Sequence, residues 1–207
     1  MADVKISALA AASSAATTDE YAANQAGTSR KVTLQQIHDA YILGRGGAAA
    51  NINNSAATTS IYSCAIPANV MGTTRTVRTK LLGEYWHSAG ATATLTFRVG
   101  LSTTTMYQDA TAALAVSANS RPVWIDVHLT NLGANNSQVF GGEVNVGATG
   151  GATTGQGDLA TAGTSAIVRG TAAVDTSSAV TLDFFVTHSV ASTLITYRHW
   201  AGITELI

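Results

Sequence analysis

Beyond Ile61, apolar residues recur at every second position in one segment after another. Leu95, Phe97, Val99 and Leu101 alternate with Thr94, Thr96 and Arg98; Val123, Ile125, Val127 and Leu129 alternate with Trp124, Asp126 and His128; Val180, Leu182, Phe184 and Val186 repeat the pattern. A period of two with one apolar side is the mark of antiparallel strands that bury one face and wet the other. Further segments of strand character are Ser60–Ile66, Thr74–His87, Thr103–Tyr107, Ser137–Val146, Ser165–Val174 and Leu194–Leu206. With turn-forming stretches such as 118–120, 132–136 and 175–178 between them, the spacing predicts about eight or nine strands in an all-β sandwich of jelly-roll type.

The first part of the chain lacks this alternation. Val32 to Leu43 predicts a short helix over 33–43: Thr33 caps it, Gln36 reaches back, and Leu34, Ile37 and Tyr41 share one face, with Gly44 suited to the position after its end. Three turns with one short stripe are marginal alone, so the helix is expected to dock on a partner surface or to bundle with its own copies. Residues 44–58, rich in Gly, Ala and Asn, punctuate the chain as a linker. The expected organisation is an extended N-terminal arm (1–43) carrying that helix, a linker (44–58) and a β-sandwich (59–207). Residues 147–163, almost all Gly, Ala and Thr, form a long connection of the kind that is functional or disordered.

Composition narrows the function classes. Ala, Thr, Ser and Gly make up about half of the 207 residues and charged residues only 11%, against about 25% in an average domain. Eleven Lys and Arg against twelve Asp and Glu, with no basic cluster, argue against nucleic acid as a partner. No apolar run approaches the roughly 18 residues of a spanning helix, which argues against membrane insertion, and the N-terminus lacks the pattern of a signal peptide. The single cysteine, Cys64, allows no intrachain disulfide and reads as a small buried hydrophobe. Threonine suits a pleated, half-exposed surface because its branched side chain restricts χ1.

Lys5-Ile6-Ser7-Ala8-Leu9, then Asp19-Glu20-Tyr21 to Asn24-Gln25-Ala26-Gly27-Thr28, then Arg30-Lys31-Val32-Thr33-Leu34-Gln35-Gln36-Ile37, resembles the N-terminal region of tailed-bacteriophage tail fibres, tail spikes and related virion appendages. The resemblance covers about forty residues. Ala10 stands where many relatives carry proline. The strand patterns around Ile66-Pro67-Ala68-Asn69, Thr94–Leu101 and Arg121-Pro122-Val123-Trp124 are similar to those of β-sandwich domains in small phage structural proteins. The resemblance implies a virion protein assembled in the host cytoplasm. It also implies a homotrimer, anchored by its N-terminus to another virion protein (baseplate, tail adaptor or capsid) and presenting a knob to a host surface glycan. A capsid decoration protein or head fibre shares this architecture, and a free carbohydrate-binding lectin domain is the alternative from another class.

No catalytic constellation is present: there is no nucleophile elbow, the glycines at 44–47 lack the Lys-Ser/Thr of a phosphate loop, and no zinc-binding spacing occurs. The five histidines never fall in an H-x-H spacing, so neither metal nor cofactor is expected. The expected attachment residues are Leu34, Ile37 and Tyr41. Trp124, Asp126 and His128 share the outward face of one strand and form the candidate glycan contact: an indole for a sugar ring, with a carboxylate and an imidazole for its hydroxyls. Trp86 with Glu84 and His87, and Trp200 with Arg198 and His199, are similar candidates.

Overall fold

A computed structural model describes residues 20–25, 28–33, 40–46, 50–88, 93–111, 113–114, 116–147 and 164–207. The chain divides into two compact units, 1–41 and 42–207. In the first, β1 (Glu20–Gln25) pairs antiparallel with β2 (Thr28–Thr33), Glu20 opposite Thr33 and Gln25 opposite Thr28. The arm is therefore hairpin-forming over 20–33 rather than simply extended. The helix expected over 33–43 is not formed at either end. Val32 and Thr33 close β2, Ala40 and Tyr41 make a turn, and Ile42 and Leu43 open the next strand; residues 34–39 lie outside the described residues. The helix signal is a local cap, whereas Val32 and Thr33, branched residues that favour extended backbone, are paired opposite Tyr21 and Glu20.

The second unit is antiparallel β throughout its described residues. Its strands are β3 (Ile42–Gly46), β4 (Ala50–Asn53), β5 (Thr59–Ile66), β6 (Thr76–His87), β7 (Leu95–Leu101), β8 (Thr104–Ala110), β9 (Ser117–Asn131), β10 (Gln138–Val146), β11 (Thr164–Ala172), β12 (Val180–His188) and β13 (Ile195–Leu206). One sheet runs β11-β10-β9-β6-β13-β3, with β4 also on β13; the other runs β5-β12-β7-β8. The pairings are nested along the chain: β4 with β13, β5 with β12, β6 with β9 and β7 with β8, falling alternately in the larger and smaller sheet. Inward residues of both sheets form a single core, with Leu81, Ile125 and Leu129 from the larger and Leu95, Leu182 and Phe184 from the smaller, each 2% exposed or less. The alternation is visible in β12, where every second residue from Val180 to His188 is buried.

Residues 44–58, expected as a linker, contribute β3 and β4 instead. Tyr62 explains the glycines there. Its ring lies between the sheets where a Cβ on Gly46 would meet it at 3.0 Å and one on Gly202 at 2.7 Å, while a Cβ on Gly44 would meet the Cys64 sulfur at 2.7 Å. Glycine at 44 and 46 is thus a packing requirement of an edge strand. The Tyr62 hydroxyl bonds Thr204 Oγ1 at 3.0 Å and Thr204 bonds Thr79 Oγ1 at 2.9 Å, so the buried hydroxyls satisfy one another. Burial pushes the Tyr62 phenol up to about 12, and burial also pushes the Cys64 thiol up, which leaves it a poor nucleophile.

One end of the sandwich is tied by a buried polar knot. Asn131 Nδ2 donates to Thr176 Oγ1 at 2.8 Å and to the Gly72 carbonyl at 2.6 Å; Gln138 Nε2 donates to Asn131 Oδ1 and to the Asn135 carbonyl, both at 2.8 Å. The backbone N–H of Val174 closes it on Gln138 Oε1 at 2.9 Å. At one lateral edge β11 lies against β8 so closely that a Cβ on Gly170 would overlap the Met106 carbonyl oxygen.

Two outcomes follow from this packing. Gly170→Ala has no room to relax into backbone and is expected to cost about 1–3 kcal/mol or more, read by urea unfolding, with an unchanged midpoint contradicting the β8–β11 seam. His188 and His199 are 1% and 2% exposed, and burial holds both imidazoles below their ordinary range, against which His188 gains only a bond to the Ser55 carbonyl at 3.1 Å. The fold therefore favours their neutral forms. Thermal stability should be level above about pH 7 and fall as pH drops through about 6.5, where the unfolded chain takes up protons the folded one resists. In His199→Leu the slope between about pH 6.5 and 5 should be shallower, and an identical slope would contradict the assignment.

Candidate functional site

The outer face of the larger sheet gathers most of the chain's unusual side chains. In β9, Val123, Ile125, Val127 and Leu129 point into the core at 1–2% exposed, which sends Trp124, Asp126 and His128 outward together as their alternation requires. Register then sets their neighbours. On β6, Leu82 lies opposite Trp124, Lys80 opposite Asp126 and Arg78 opposite His128; on β13, Ala201 lies opposite Leu82 and Ile203 opposite Lys80.

This register changes the chemistry of the expected trio. Arg78 grips Asp126 with two nitrogens, Nε at 2.9 Å from Oδ1 and a second on Oδ2. The Arg78 hydrogen bond holds the Asp126 carboxyl below the ordinary carboxylate range, so Asp126 is an ionised, occupied group and no proton donor near neutrality. His128 sits 4.0 Å from Asp126 with about half of its side chain exposed. Trp124, 42% exposed, has its ring available to solvent.

Beside Trp124 lies a groove of about 280 Å³, lined by Lys80, Leu82, Trp124, Ala201, Gly202 and Ile203. It lies where β13 slips register between His199 and Ala201 and then turns the small Ala201 outward, opposite Leu82 and before Ile203. The same irregularity leaves Trp200 45% exposed. Trp86 lies on the outer face too, its ring 5.2 Å from the Arg198 guanidinium carbon, and Arg198 also pairs with Glu84 at 3.0 Å.

The other expected trios do not converge. His87 and His199 are buried at 1% and 2%, while Trp86, Arg198 and Trp200 stand on the outer side. Tyr41 is 56% exposed in its turn; Leu34 and Ile37 lie outside the described residues, as do 148–163 of the long connection. Among the described residues no group of three or more His, Cys, Asp or Glu is placed to hold a metal, and no helix is long and apolar enough to cross a membrane. The groove residues Lys80, Leu82, Ala201 and Ile203 were missed by sequence reasoning, since only cross-strand register brings them to Trp124.

No protein-family profile matches the chain, and no curated protein matches it. Among solved structures it is similar to a chain in the "Structure of infectious bursal disease virus Gt strain", at 10% sequence identity and a TM-score of 0.30, over all of this chain and 37% of that one. So shallow a similarity leaves fold and function to be argued from the chain's own residues.

The ion pair yields a measurable consequence. Asp126→Asn is expected to cost about 1 kcal/mol at pH 7 by urea unfolding, the scale of a partly exposed pair. Because the folded-state carboxyl lies below the ordinary value near 3.9, that cost should shrink as pH falls through and below it, and a difference that persists at low pH would contradict the pair.

Proposed function

We propose that the chain is a non-enzymatic structural protein of a tailed-bacteriophage virion, a short trimeric tail fibre. Its N-terminal unit anchors to the particle and its β-sandwich is a jelly-roll knob that meets the host surface. The observation that carries this reading is the nested pairing of β4 with β13, β5 with β12, β6 with β9 and β7 with β8. Pairs that nest from the chain ends inward and alternate between two sheets are what a folded-over double hairpin produces, which is the winding of a jelly roll, an architecture of viral capsid and lectin domains. The hairpin β10–β11 is an insertion in that winding.

Supporting it from the sequence side, residues 5–37 carry the appendage-like pattern, and a chain with 11% charged residues desolvates little charge when copies associate. Leu34, Ile37 and Tyr41 serve as the anchoring contacts, through strand or side-chain addition onto a partner surface. Glycan contact belongs to Trp124 and its flanking positions, with Asp126 and His128 at the rim, weak per copy and strengthened by multivalency.

The purified full chain should have the mass of a trimer by light scattering at micromolar concentration, and gold-labelled antibody should decorate the tails of intact particles. A monomer at that concentration, or label confined to the head or absent from particles, would overturn the tail-fibre reading.

A further inference from the structure

We propose that the groove beside Trp124 binds an acidic sugar, one pyranose ring stacked on the indole and its acid group paired with the Lys80 ammonium. The inference rests on the glycan-attachment reading above and narrows it to a ligand class.

Size comes first. About 280 Å³ lies below the roughly 300–1,000 Å³ of pockets for drug-sized ligands, so the groove takes one or two rings and no larger body. Its walls are apolar: Leu82, Ile203 and Ala201 offer carbon surface, and Trp124 offers a half-exposed aromatic face. A pyranose has an apolar side of axial C–H groups that suits such a face, while its hydroxyls remain at the open side in water.

Charge then discriminates among sugars. Lys80 is the one charged residue lining the groove, and it makes no hydrogen bond or ion pair with any described residue. Asp126, opposite it in register, is gripped by Arg78. Arg78 faces two carboxylates, Asp126 on β9 and Glu205 opposite it on β13, so the ammonium of Lys80 is the charge that borders the apolar slot itself. A neutral ring would leave that charge unused, and a purely apolar ligand would gain nothing from it. A ring bearing a carboxylate or phosphate uses both the indole and the ammonium.

The test titrates full-length protein, following tryptophan fluorescence and heat, with galacturonate oligomers, sialyllactose and mannose 6-phosphate, and with neutral galactose oligomers, lactose and mannose as their counterparts. At least one acidic sugar should bind about fivefold or more tighter than its neutral counterpart, the scale of one partly exposed charge pair, and the preference should fade with added salt. The three acidic ligands separate uronic, nonulosonic and phosphate sources of the charge. Lys80→Gln should erase the preference, and Trp124→Ala should remove binding of acidic and neutral sugars alike, with the thermal midpoint of each variant recorded to confirm folding. Equal affinity for acidic and neutral sugars, or a preference that survives in Lys80→Gln, would overturn the acidic-sugar inference while leaving glycan attachment standing. Binding that survives in a folded Trp124→Ala would overturn the groove as the site. Absence of binding to every sugar would overturn the sugar reading altogether, and a self-association that Trp124→Ala abolishes would assign the groove to a second copy.

Discussion

A change of parity in β13 connects the core to the outer surface. Up to His199 the odd-numbered residues face inward: Ile195 and Tyr197 are fully buried and His199 nearly so. After the register slip between His199 and Ala201 the inward positions are even: Gly202 faces the Tyr62 ring and Thr204 takes its place in the buried hydroxyl chain with Tyr62 and Thr79. One extra residue therefore does two things. It brings a glycine and a threonine, rather than Ala201 and Ile203, under Tyr62, and it sends those two apolar residues to the outer face, where they border the groove. Without the slip, Ile203 would be driven into the space that Tyr62 occupies, and the groove would have no wall on that side.

Strands such as β7, β9 and β12 were legible because they alternate, and their positions follow from period two. What period two does not carry is register between strands. Trp124, Asp126 and His128 could be read as one outward row, but that Arg78 would capture Asp126 depends on β6 lying beside β9 in one alignment among many, forty-eight positions away in sequence. The slip in β13 was equally hidden, since Leu194–Leu206 has no clean alternation and reads as a strand without revealing where its faces exchange. Gly44 and Gly46 misled for a related reason. Glycine at alternate positions looks like a flexible joint until a tyrosine far along the chain is seen to need the vacated volume. The cap before Leu34 was a sound local signal overruled at both ends by cross-strand pairing, a case of tertiary context outweighing propensity.

Polar groups divide by location in a way that the low charge content makes plain. Inside, two sets of uncharged donors and acceptors are spent on one another: the Thr79–Thr204–Tyr62 chain and the Asn131–Gln138–Thr176 knot hold the seam and one end of the sandwich. Amide and hydroxyl networks can be buried without the desolvation penalty of ion pairs, so a chain poor in charge can still specify alignment in its interior. Outside, Arg78 pairs with Asp126 and Arg198 with Glu84, and Arg98 lies over Phe185 at 4.0 Å on the smaller sheet. Lys80 borders the apolar groove beside Trp124.

The hairpin β10–β11 matters to the site although it contributes no residue to the groove. In the nested pairing, β9 would be the last strand of the larger sheet, and Trp124 would stand on an edge whose unpaired backbone invites other chains. Pairing of β10 along β9 from Val123 to Asn131 takes up that edge and makes β9 an interior strand. The new edge, β11, is in turn brought against β8, where Gly170 lets the two backbones meet at the Met106 carbonyl. Trp124 is thereby moved to the interior of a wider sheet, flanked by β6 on one side and β10 on the other. Backbone pairing on both sides fixes the point and direction at which the half-exposed Trp124 side chain leaves the sheet.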